Sequence, residues 1–358
     1  MCHSNQLLVV HRRNRQHRSR SFAVARVSVA VLFTFLLLPG CGKQQDVKVI
    51  KLGHALDQSH PVHLAMQFMG DQLAQASQGT MRIDIYPSQQ LGTERELLEL
   101  LQIGSLGMTK VSSSVLEGFE PSFRVFGLPY LFRDDRHRFA VLEGDVGKKI
   151  LLSAERFNLR GLAYYDAGSR SFYTKDRPIE APEDLEGMKI RTQESPVAIR
   201  MVRAMGGAAT PIAWGELYTA LQQGIVDGAE NNPPSFYLSR HYEIARYYSL
   251  DEHTSVPDVL LISTRVWSGL SPQQRAWVQE AANASAEYEK RLWKKAEEDA
   301  LAAVQADGVT VIRPDKKPFA DAVQGLYEEF RSEPVVYNLI QEVRAVAAPA
   351  DSLAHAAQ

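Results

Sequence analysis

The stretch "KVIKLGHALDQSHPVHLAMQFMGDQLAQASQGTMRIDIYP", residues 48–87, decides the fold because its hydrophobic period changes along the chain. Ser59-His60-Pro61 is a helix-start signal. Apolar residues then recur at helical spacing, at Leu64, Ala65, Phe68, Met69 and Leu73. In the closing segment, residues 81–87, apolar and polar residues alternate as a strand requires. The stretch therefore predicts a strand, a helix and a second strand.

The same alternation continues through the chain. Thr93-Glu94-Arg95-Glu96 is a capping box that opens the next helix. A second set of strand and helix patterns begins near residue 159 and includes the strand-like "MKIRT" (188–192) and "VLLIST" (259–264). This order predicts an α/β fold with mainly parallel sheets and helices on both faces. With strands that cross more than once, we expect a two-lobed periplasmic binding protein fold, hinged around a central cleft.

One long helix is predicted near the C-terminal end. Ser271-Pro272 with Gln274 caps it, and it spans about residues 271–307. Unbroken, such a helix is about 50 Å long and can contact both lobes. Its apolar stripe is predicted at Trp277, Ala281, Tyr288, Leu292 and Leu301.

The lobes are predicted to be discontinuous in sequence. We expect residues 47–168 plus about 257–283 to form lobe 1. Residues 169–256 plus about 309–342 are expected to form lobe 2.

The first 40 residues are typical of an export signal. Arginines precede an apolar run at residues 27–38, which is too short to span a bilayer as a helix. The run ends in Leu38-Pro39-Gly40-Cys41, which resembles a bacterial lipoprotein cleavage box. We predict a signal peptide at residues 1–40 and a periplasmic protein with lipid attachment at Cys41. Because Pro39 is unusual in such a box, ordinary signal-peptidase cleavage stays open.

Charge and cysteine content exclude some classes of function. Residues 1–40 contain six of the 40 basic residues and none of the 42 acidic ones, so the remaining chain has a net charge of 34 − 42 = −8. This balance, without a basic patch, argues against a nucleic-acid partner. After loss of Cys2 with the signal, Cys41 has no partner for an internal disulfide.

Two arginines at strand ends are candidate ligand contacts. Arg191 ends the strand "MKIR", where a guanidinium can bind a carboxylate through two parallel hydrogen bonds. Arg170 follows the small turn Ala167-Gly168-Ser169, which lets the chain approach a ligand closely. The ordinary alternatives are a solvated strand face for Arg191 and a surface ion pair for Arg170.

Four other side chains are candidates with equally ordinary alternatives. Glu94 lies in the first turn of its helix, where the helix dipole alone favours a carboxylate. Trp214 is either core or a cover for the apolar face of a sugar ring. Asn231, in front of Pro233-Pro234, can donate or accept a hydrogen bond. His60 and His63 have a spacing that could hold a metal, but without a third ligand we predict no metal site.

At this point the motifs resemble a known family, the substrate-binding subunits of tripartite ATP-independent periplasmic (TRAP) transporters of the dicarboxylate-receptor type. The resemblance covers about residues 48–313 in the right order. It rests on "MRIDIYPSQQLG", "ELLQIGSLGMTKVSSS", "FGLPYLF", "MKIRT", "ATPIAWGELYTALQQGIVDGAEN" and "VLLIST". It implies a receptor that closes over an organic acid and delivers it to a membrane permease, without a cofactor and without catalysis.

The resemblance also implies residue roles. The arginine of the "KIR" strand, which clamps the ligand carboxylate, corresponds to Arg191, and a second arginine corresponds to Arg170. The ligand-binding asparagine, the aromatic residue before the "ELY" helix and the acid after "QLG" correspond to Asn231, Trp214 and Glu94. Members that bind sialic acid place an acid where this chain has Ser112-Ser113, which argues against that ligand.

The identity of the acid follows from charge. A dicarboxylate brings a second negative charge towards Glu94, at a cost on the order of a kcal/mol or more unless another cation intervenes. A hydroxylated monocarboxylate uses Glu94, His60 and Asn231 as partners, and "SHPVH" resembles the branch that receives hexuronates. We therefore predict a hexuronate such as D-glucuronate or D-galacturonate.

Three alternatives remain open from the sequence. A C4-dicarboxylate or another carboxylate would suit the same arginines. A hydrolase or lyase would use His60, His63 and Glu94, although no known catalytic motif is present. The receptor could also serve a sensor instead of a permease.

Overall fold

The computed structural model describes residues 46–347, so the predicted signal peptide and Cys41 lie outside the described residues. The strands are β1 Lys48–Gly53, β2 Met81–Tyr86, β3 Met108–Ser112, β4 Leu159–Tyr165, β5 Arg170–Thr174, β6 Lys189–Thr192, β7 Ala208–Pro211, β8 Gly228–Asn231, β9 Tyr247–Thr254, β10 Asp258–Ser263 and β11 Thr310–Ile312. The helices are α1 Pro61–Ala76, α2 Glu94–Ile103, α3 Ser113–Leu116, α4 Asp135–Glu143, α5 Asp145–Ser153, α6 Pro196–Ala204, α7 Leu217–Gln222, α8 Pro233–Leu238, α9 Thr264–Ser268, α10 Pro272–Ala306, α11 Lys316–Ala322, α12 Gln324–Glu329 and α13 Pro334–Ala345.

The strands form two sheets, as expected for two lobes. The first has the order β2-β1-β3-β10-β4 and the second has the order β11-β9-β5-β8-β6-β7. Both are mixed. In the first, β1 is parallel to β2 and β3, whereas β10 is antiparallel to β3 and β4. In the second, β5 is antiparallel to β8 and β9, whereas β6 is parallel to its neighbours. The α/β class is confirmed, with antiparallel strands where the chain crosses between the sheets.

The chain crosses between the sheets three times, once through α10, which leads from β10 towards β11, and twice through short connections. Residues 166–169 join β4 to β5, and residues 255–257 join β9 to β10. Gly168, in the first crossing, has a positive φ of 56°. It lies so close to Trp293 and Glu297 of α10 that a β-carbon there would collide with both side chains. We propose that these two crossings are the hinge between the lobes.

Helices cover both faces of each sheet. Alternation along β10 places Val259 and Leu261 in one apolar cluster and Leu260 and Ile262 in another. Phe172 and Tyr173 of β5 divide in the same way between two clusters on the second sheet. The cores on the two faces hold the strand ends in fixed positions, which is what a site at those ends requires.

The long helix α10 contains 35 residues and packs against α1 and β4 beside the first sheet and against α8 beside the second. Its cap is the predicted one, with Ser271 and Gln274 bonded reciprocally. The buried stripe is not the predicted one, since only Ala281 is shared. The side chains buried on α10 are Val278, Ala281, Ala282, Ser285, Ala286, Glu289, Trp293, Ala300 and Val304. Most of these are small, as close packing against α1 requires, and the larger apolar residues lie at the margins.

The last helix differs from the predicted lobe assignment. β11 pairs with β9 and Phe319 packs beneath the second sheet, as expected for residues from about 309 onward. In α13, however, Val336, Leu339, Ile340 and Val343 pack into the apolar cluster of the first sheet. Their spacing of three and four residues makes one continuous apolar stripe, and that stripe is buried there.

Glu117, just after α3, caps the helix that follows the Arg191 strand. Its Oε1 accepts a hydrogen bond from Ser195 Oγ (2.8 Å) and its Oε2 accepts one from the Val197 amide (3.2 Å). Burial raises the pKa of Glu117 to about 8, against the opposing effect of these hydrogen bonds and of Arg124 and Arg200. The carboxyl therefore fixes the start of α6.

We expect Glu117→Gln to flatten the pH dependence of the free energy of unfolding. The native carboxyl keeps a proton that the unfolded chain releases near the ordinary pKa of 4.5. The native state thus binds more protons, and the contribution of Glu117 to stability falls as the pH rises from about 5 to 8, by up to about 1.4 kcal/mol per pH unit. Urea unfolding at about pH 5.5, 6.5 and 7.5 measures the slope. Exposed Glu280→Gln is the control, and a Glu117→Gln slope equal to the native one would contradict the prediction.

Candidate functional site

A buried cavity of about 40 Å³ lies between the crossing segments and the ends of strands from both sheets. Five of the six predicted ligand-binding residues line it, namely His60, Glu94, Arg170, Trp214 and Asn231. The sixth, Arg191, lines a smaller cavity next to it. The two cavities share Glu94, Gln193 and Trp214 in their walls, so the candidate residues belong to one cleft.

Arg170 has all of its hydrogen bonds inside the protein. Its guanidinium forms a bidentate pair with the Glu230 carboxylate and donates from Nη2 to the Glu230 carbonyl oxygen (2.7 Å). Its Nη1 donates to Asn231 Oδ1 (2.8 Å). These bonds use four of the five N–H groups of the guanidinium and leave one on Nη1, so Arg170 holds β5 against β8 and orients Asn231.

A second ion pair, between His253 and Asp251, lies beside the Arg170–Glu230 pair. His253 Nδ1 donates to Asp251 (2.7 Å), and its Nε2 lies 3.6 Å from Glu230. Burial opposes the charged forms, but Asp251 and Glu230 raise the pKa of His253 to about 9. Burial would also raise the pKa of Glu230, which Arg170 and His253 instead hold at about 2. The four side chains carry two positive and two negative charges and are neutral together.

The "ENN" segment before Pro233-Pro234 is buried, and each of its three side chains has at least one hydrogen-bond partner. Glu230 pairs with Arg170 as described. Asn231 Oδ1 accepts from Arg170 and from the Asn232 amide (2.9 Å), so its side-chain NH₂ is the group left for the cavity. Asn232 is the N-cap of α8 and accepts from the Ser235 amide (2.8 Å). Asn231 is therefore presented as a donor.

Arg191 is the one cation of the described cleft without a paired acid. Only 2% of its surface is exposed, so it does not lie on a solvated face. Its Nε donates to the Ile212 carbonyl oxygen (2.9 Å), whereas Nη1 is buried and has no hydrogen-bond partner among the described residues. Its Cζ lies 5.9 Å from the centre of the Trp214 ring. Burial lowers the pKa of Arg191, as expected for a cation taken out of water without a counterion.

Glu94 belongs to a buried ion triplet. Its Oε1 accepts from the Ser112 amide (3.2 Å) and from Lys110 Nζ (3.4 Å), rather than from the amides of its own helix. Lys110 also donates to Asp258 Oδ2 (2.9 Å). Burial raises the pKa of Glu94, with Lys110 opposing, while Asp258 and Glu94 raise the pKa of Lys110 against the effect of burial. Helix capping therefore does not account for Glu94.

Two polar contacts between residues of the cavity wall join the sheets across the cleft. His60 is the N-cap of α1, and its Nδ1 accepts from the Val62 amide (3.3 Å). Its Nε2 then carries the proton and donates to Ser235 Oγ of α8 (3.4 Å). Burial, followed by Lys110, lowers the pKa of His60 to about 3, so the ring is neutral. On the other side, Ser112 Oγ donates to Gln193 Oε1 (3.4 Å).

The sequence analysis missed several residues of the cavity wall. Among them are Lys110, Gln193, Ser235, Asp258 and Trp293. Lys110 could have been found from the sequence, because a lysine in the otherwise apolar and small-residue strand "GMTKVS" needs a buried acid. The other four could not have been found without the fold.

His63 faces away from the cavity towards a neighbouring histidine. Its Nδ1 accepts from His54 Nε2 (2.9 Å), because His54 Nδ1 already accepts from the Leu56 amide. Across residues 46–347, His, Cys, Asp and Glu side chains form no group of three or more that could hold a metal ion. His60 and His63 therefore do not converge.

We expect the two arginines to differ in their effect on stability. Arg170→Met leaves Glu230 and Asn231 buried without their donor and should lower the free energy of unfolding by about 3–5 kcal/mol. Arg191→Met removes an uncompensated buried charge and should change it by less than about 1 kcal/mol. Urea unfolding of both variants measures this, and equal losses would contradict the assignment of Arg170 as the structural member.

No helix of the described segment, residues 46–347, is long and apolar enough to cross a membrane.

Comparison with known proteins identifies the family. The family described as bacterial extracellular solute-binding protein, family 7, matches residues 52–333. The uncharacterized protein YiiZ of Salmonella typhimurium is 41% identical over 298 residues, which are 83% of this chain and 91% of that protein.

Solved structures agree with the family match. A TRAP periplasmic solute binding protein from Xanthobacter autotrophicus Py2, with bound β-D-galacturonate, is 40% identical with a TM-score of 0.81, covering 83% of this chain and 100% of its own. A TRAP periplasmic solute binding protein from Pseudomonas putida F1, with bound D-glucuronate, is 37% identical with a TM-score of 0.81. The match covers 84% of this chain and 98% of that one. The resemblance predicted from the motifs is confirmed: this chain belongs to family 7 of the bacterial extracellular solute-binding proteins and is a TRAP solute receptor.

Proposed function

We propose that this receptor binds a hexuronate, D-galacturonate or D-glucuronate, and delivers it to the membrane permease of a TRAP transporter. Arg191 carries the proposal. A buried guanidinium without an acid partner is stabilised by an anionic ligand, and its free Nη1 can donate to a carboxylate oxygen. The hexuronates bound by the Xanthobacter and Pseudomonas proteins support the same class of ligand.

The remaining groups of the cleft suit a hydroxylated ring. The Asn231 NH₂ and the His60 Nε2–H can donate hydrogen bonds, while Glu94 and Asp258 can accept them from hydroxyl groups. Trp214, beside Arg191, offers an aromatic face for the apolar C–H side of a sugar. Arg170 orients Asn231 and pairs with Glu230, and its remaining Nη1–H can donate to the ligand from the cavity wall.

Ligand entry requires the two sheets to move apart. The cavity is lined by side chains that are mostly buried, and at about 40 Å³ it is smaller than a hexuronate. The polar contacts that must open include His60–Ser235, Ser112–Gln193 and the Glu117 bonds to Ser195 and Val197. Rotation at residues 166–169 and 255–257 separates them and withdraws Val197 from the apolar cluster of the first sheet.

The protein binds its ligand without changing it. The hydrolase or lyase hypothesis needs His60, His63 and Glu94 to converge on one substrate, but His63 is bonded to His54. Incubation of the pure protein with D-galacturonate and with a methyl galacturonoside should return both compounds intact by NMR, whereas turnover would support the enzyme hypothesis.

We also propose that the receptor is exported to the periplasm and anchored by a lipid on Cys41. The lipoprotein-like box at residues 38–41 supports this. Mass spectrometry of the exported protein should give a diacylglyceryl-modified Cys41 as the first residue, and an unmodified soluble form would mean ordinary cleavage.

We expect Arg191→Met to abolish hexuronate binding, because the ligand carboxylate loses its bidentate partner in a site closed to water. Isothermal titration with D-galacturonate and D-glucuronate should give at least about a hundredfold weaker binding than the native chain. Arg82→Met is the matched control, since Arg82 is an exposed arginine paired only with Asp84. Near-native affinity of Arg191→Met would refute the role of Arg191.

We expect a hexuronate to raise the melting temperature of the native chain, because it binds only the folded state. A thermal-shift screen of sugar acids and C4-dicarboxylates measures this. A larger shift with succinate or malate than with either hexuronate would favour the C4-dicarboxylate alternative.

A further inference from the structure

Lys110, Glu94 and Asp258 form one wall of the cavity, and we call this triplet the acidic wall. The Lys110 ammonium donates to both acids, at 2.9 Å to Asp258 and 3.4 Å to Glu94. It is 2% exposed and comes from β3, while Glu94 begins α2 and Asp258 begins β10. A lysine held by two acids from two other elements cannot turn towards a ligand without leaving both unpaired.

The acidic wall carries one net negative charge, because a single ammonium serves two carboxylates. No other cation of the described cleft is available to balance it. Arg170 is committed to Glu230, and His253 is committed to Asp251 and Glu230. Arg191 borders the neighbouring cavity, where it supplies the one unpaired positive charge. The cleft is therefore polarised, with a cation at the Arg191 end and an excess acid at the wall.

The other groups at the wall do not reverse its charge. His60 is a neutral ring, and Trp293 presents an indole. Behind the wall, the Asp166 amide of the first crossing donates to Glu289 Oε2 of α10 (2.8 Å), and burial raises the pKa of Glu289 well above its ordinary value, which favours its neutral form. Arg138 pairs with Asp166 (2.9 Å) and balances its charge.

We propose that the acidic wall makes this receptor select acids with one carboxylate and reject those with a second carboxylate at the far end of the molecule. The inference rests on the proposed function, because it assumes that the first carboxylate binds Arg191. Hydroxyl groups can donate to Glu94 and Asp258, whereas a carboxylate cannot and is repelled. In a closed site this repulsion is screened little by salt.

The hexaric acids are the discriminating probes, because galactarate keeps the hydroxyl groups of galacturonate and adds a carboxylate at C1. Its open chain also differs in shape from the ring, so a single affinity ratio mixes shape with charge. Comparison of the ratio between protein variants cancels the shape, since both variants meet the same two ligands. Asp258→Asn is the informative change, because it leaves Lys110 paired with Glu94 and makes the wall neutral.

Titration calorimetry should be run with D-galacturonate and galactarate on the native chain, on Asp258→Asn and on Asp84→Asn. Asp84 is a partly exposed acid paired with Arg82 and serves as the matched control. The native chain should prefer D-galacturonate by at least about a hundredfold. Asp258→Asn should reduce this preference at least about tenfold, by strengthening galactarate relative to D-galacturonate, and Asp84→Asn should leave it unchanged.

Each other outcome has a definite meaning. If the native chain binds galactarate as tightly as D-galacturonate, the acidic wall does not select and the inference is overturned while the hexuronate function stands. The inference is also overturned if Asp258→Asn leaves the preference unchanged. Glu94→Gln makes the same change of charge and replaces Asp258→Asn if that variant does not fold. If the native chain binds no hexuronate, the proposed function fails and this inference falls with it.

Discussion

The site depends on one constraint, that a charge taken out of water needs a counter-charge nearby. The fold meets it for Arg170, Glu230, Asp251 and His253, which are neutral as a set. It leaves the constraint unmet at Arg191, whose Nη1 has no partner among the described residues. A buried arginine with an acid partner and one without are thus distinguished by what surrounds them. In the proposed function the unmet charge is the source of affinity, because the ligand supplies what the protein lacks.

The mixed sheets explain why these charges can meet in a cleft that opens. The chain passes from β4 to β5 and later from β9 to β10. These two connections lie side by side, because β4 is the antiparallel neighbour of β10 in the first sheet and β5 is that of β9 in the second. Each sheet has apolar clusters on both faces, and Val197 of α6 also packs into a cluster of the first sheet. The long helix α10 packs beside both sheets. Arg170 pairs with Glu230 within the second sheet and Asp258 pairs with Lys110 within the first, so each ion pair belongs to one lobe.

Local patterns in the sequence predicted local structure well, but they do not show which residues pair when these are distant in the chain. The capping boxes at Thr93 and Ser271 formed as predicted, because each depends on residues three positions apart. Arg191 could be picked out by its place at a strand end. The structural role of Arg170 could not, since its partner Glu230 lies 60 residues away. The buried stripe of α10 was misassigned because small residues pack where large apolar ones were expected, and the lobe of α13 was misassigned because the cluster that buries its apolar stripe lies far away in sequence.

Gly168 shows how tightly the proposed hinge is packed against α10. It bends in the left-handed region directly against Trp293 and Glu297 of α10, with no space for even a methyl group. Trp293 is also part of the cavity wall, so the proposed hinge and the ligand pocket share one side chain. Substitution at this position would therefore hold the two lobes apart and weaken ligand capture, even though residue 168 itself does not line the cavity.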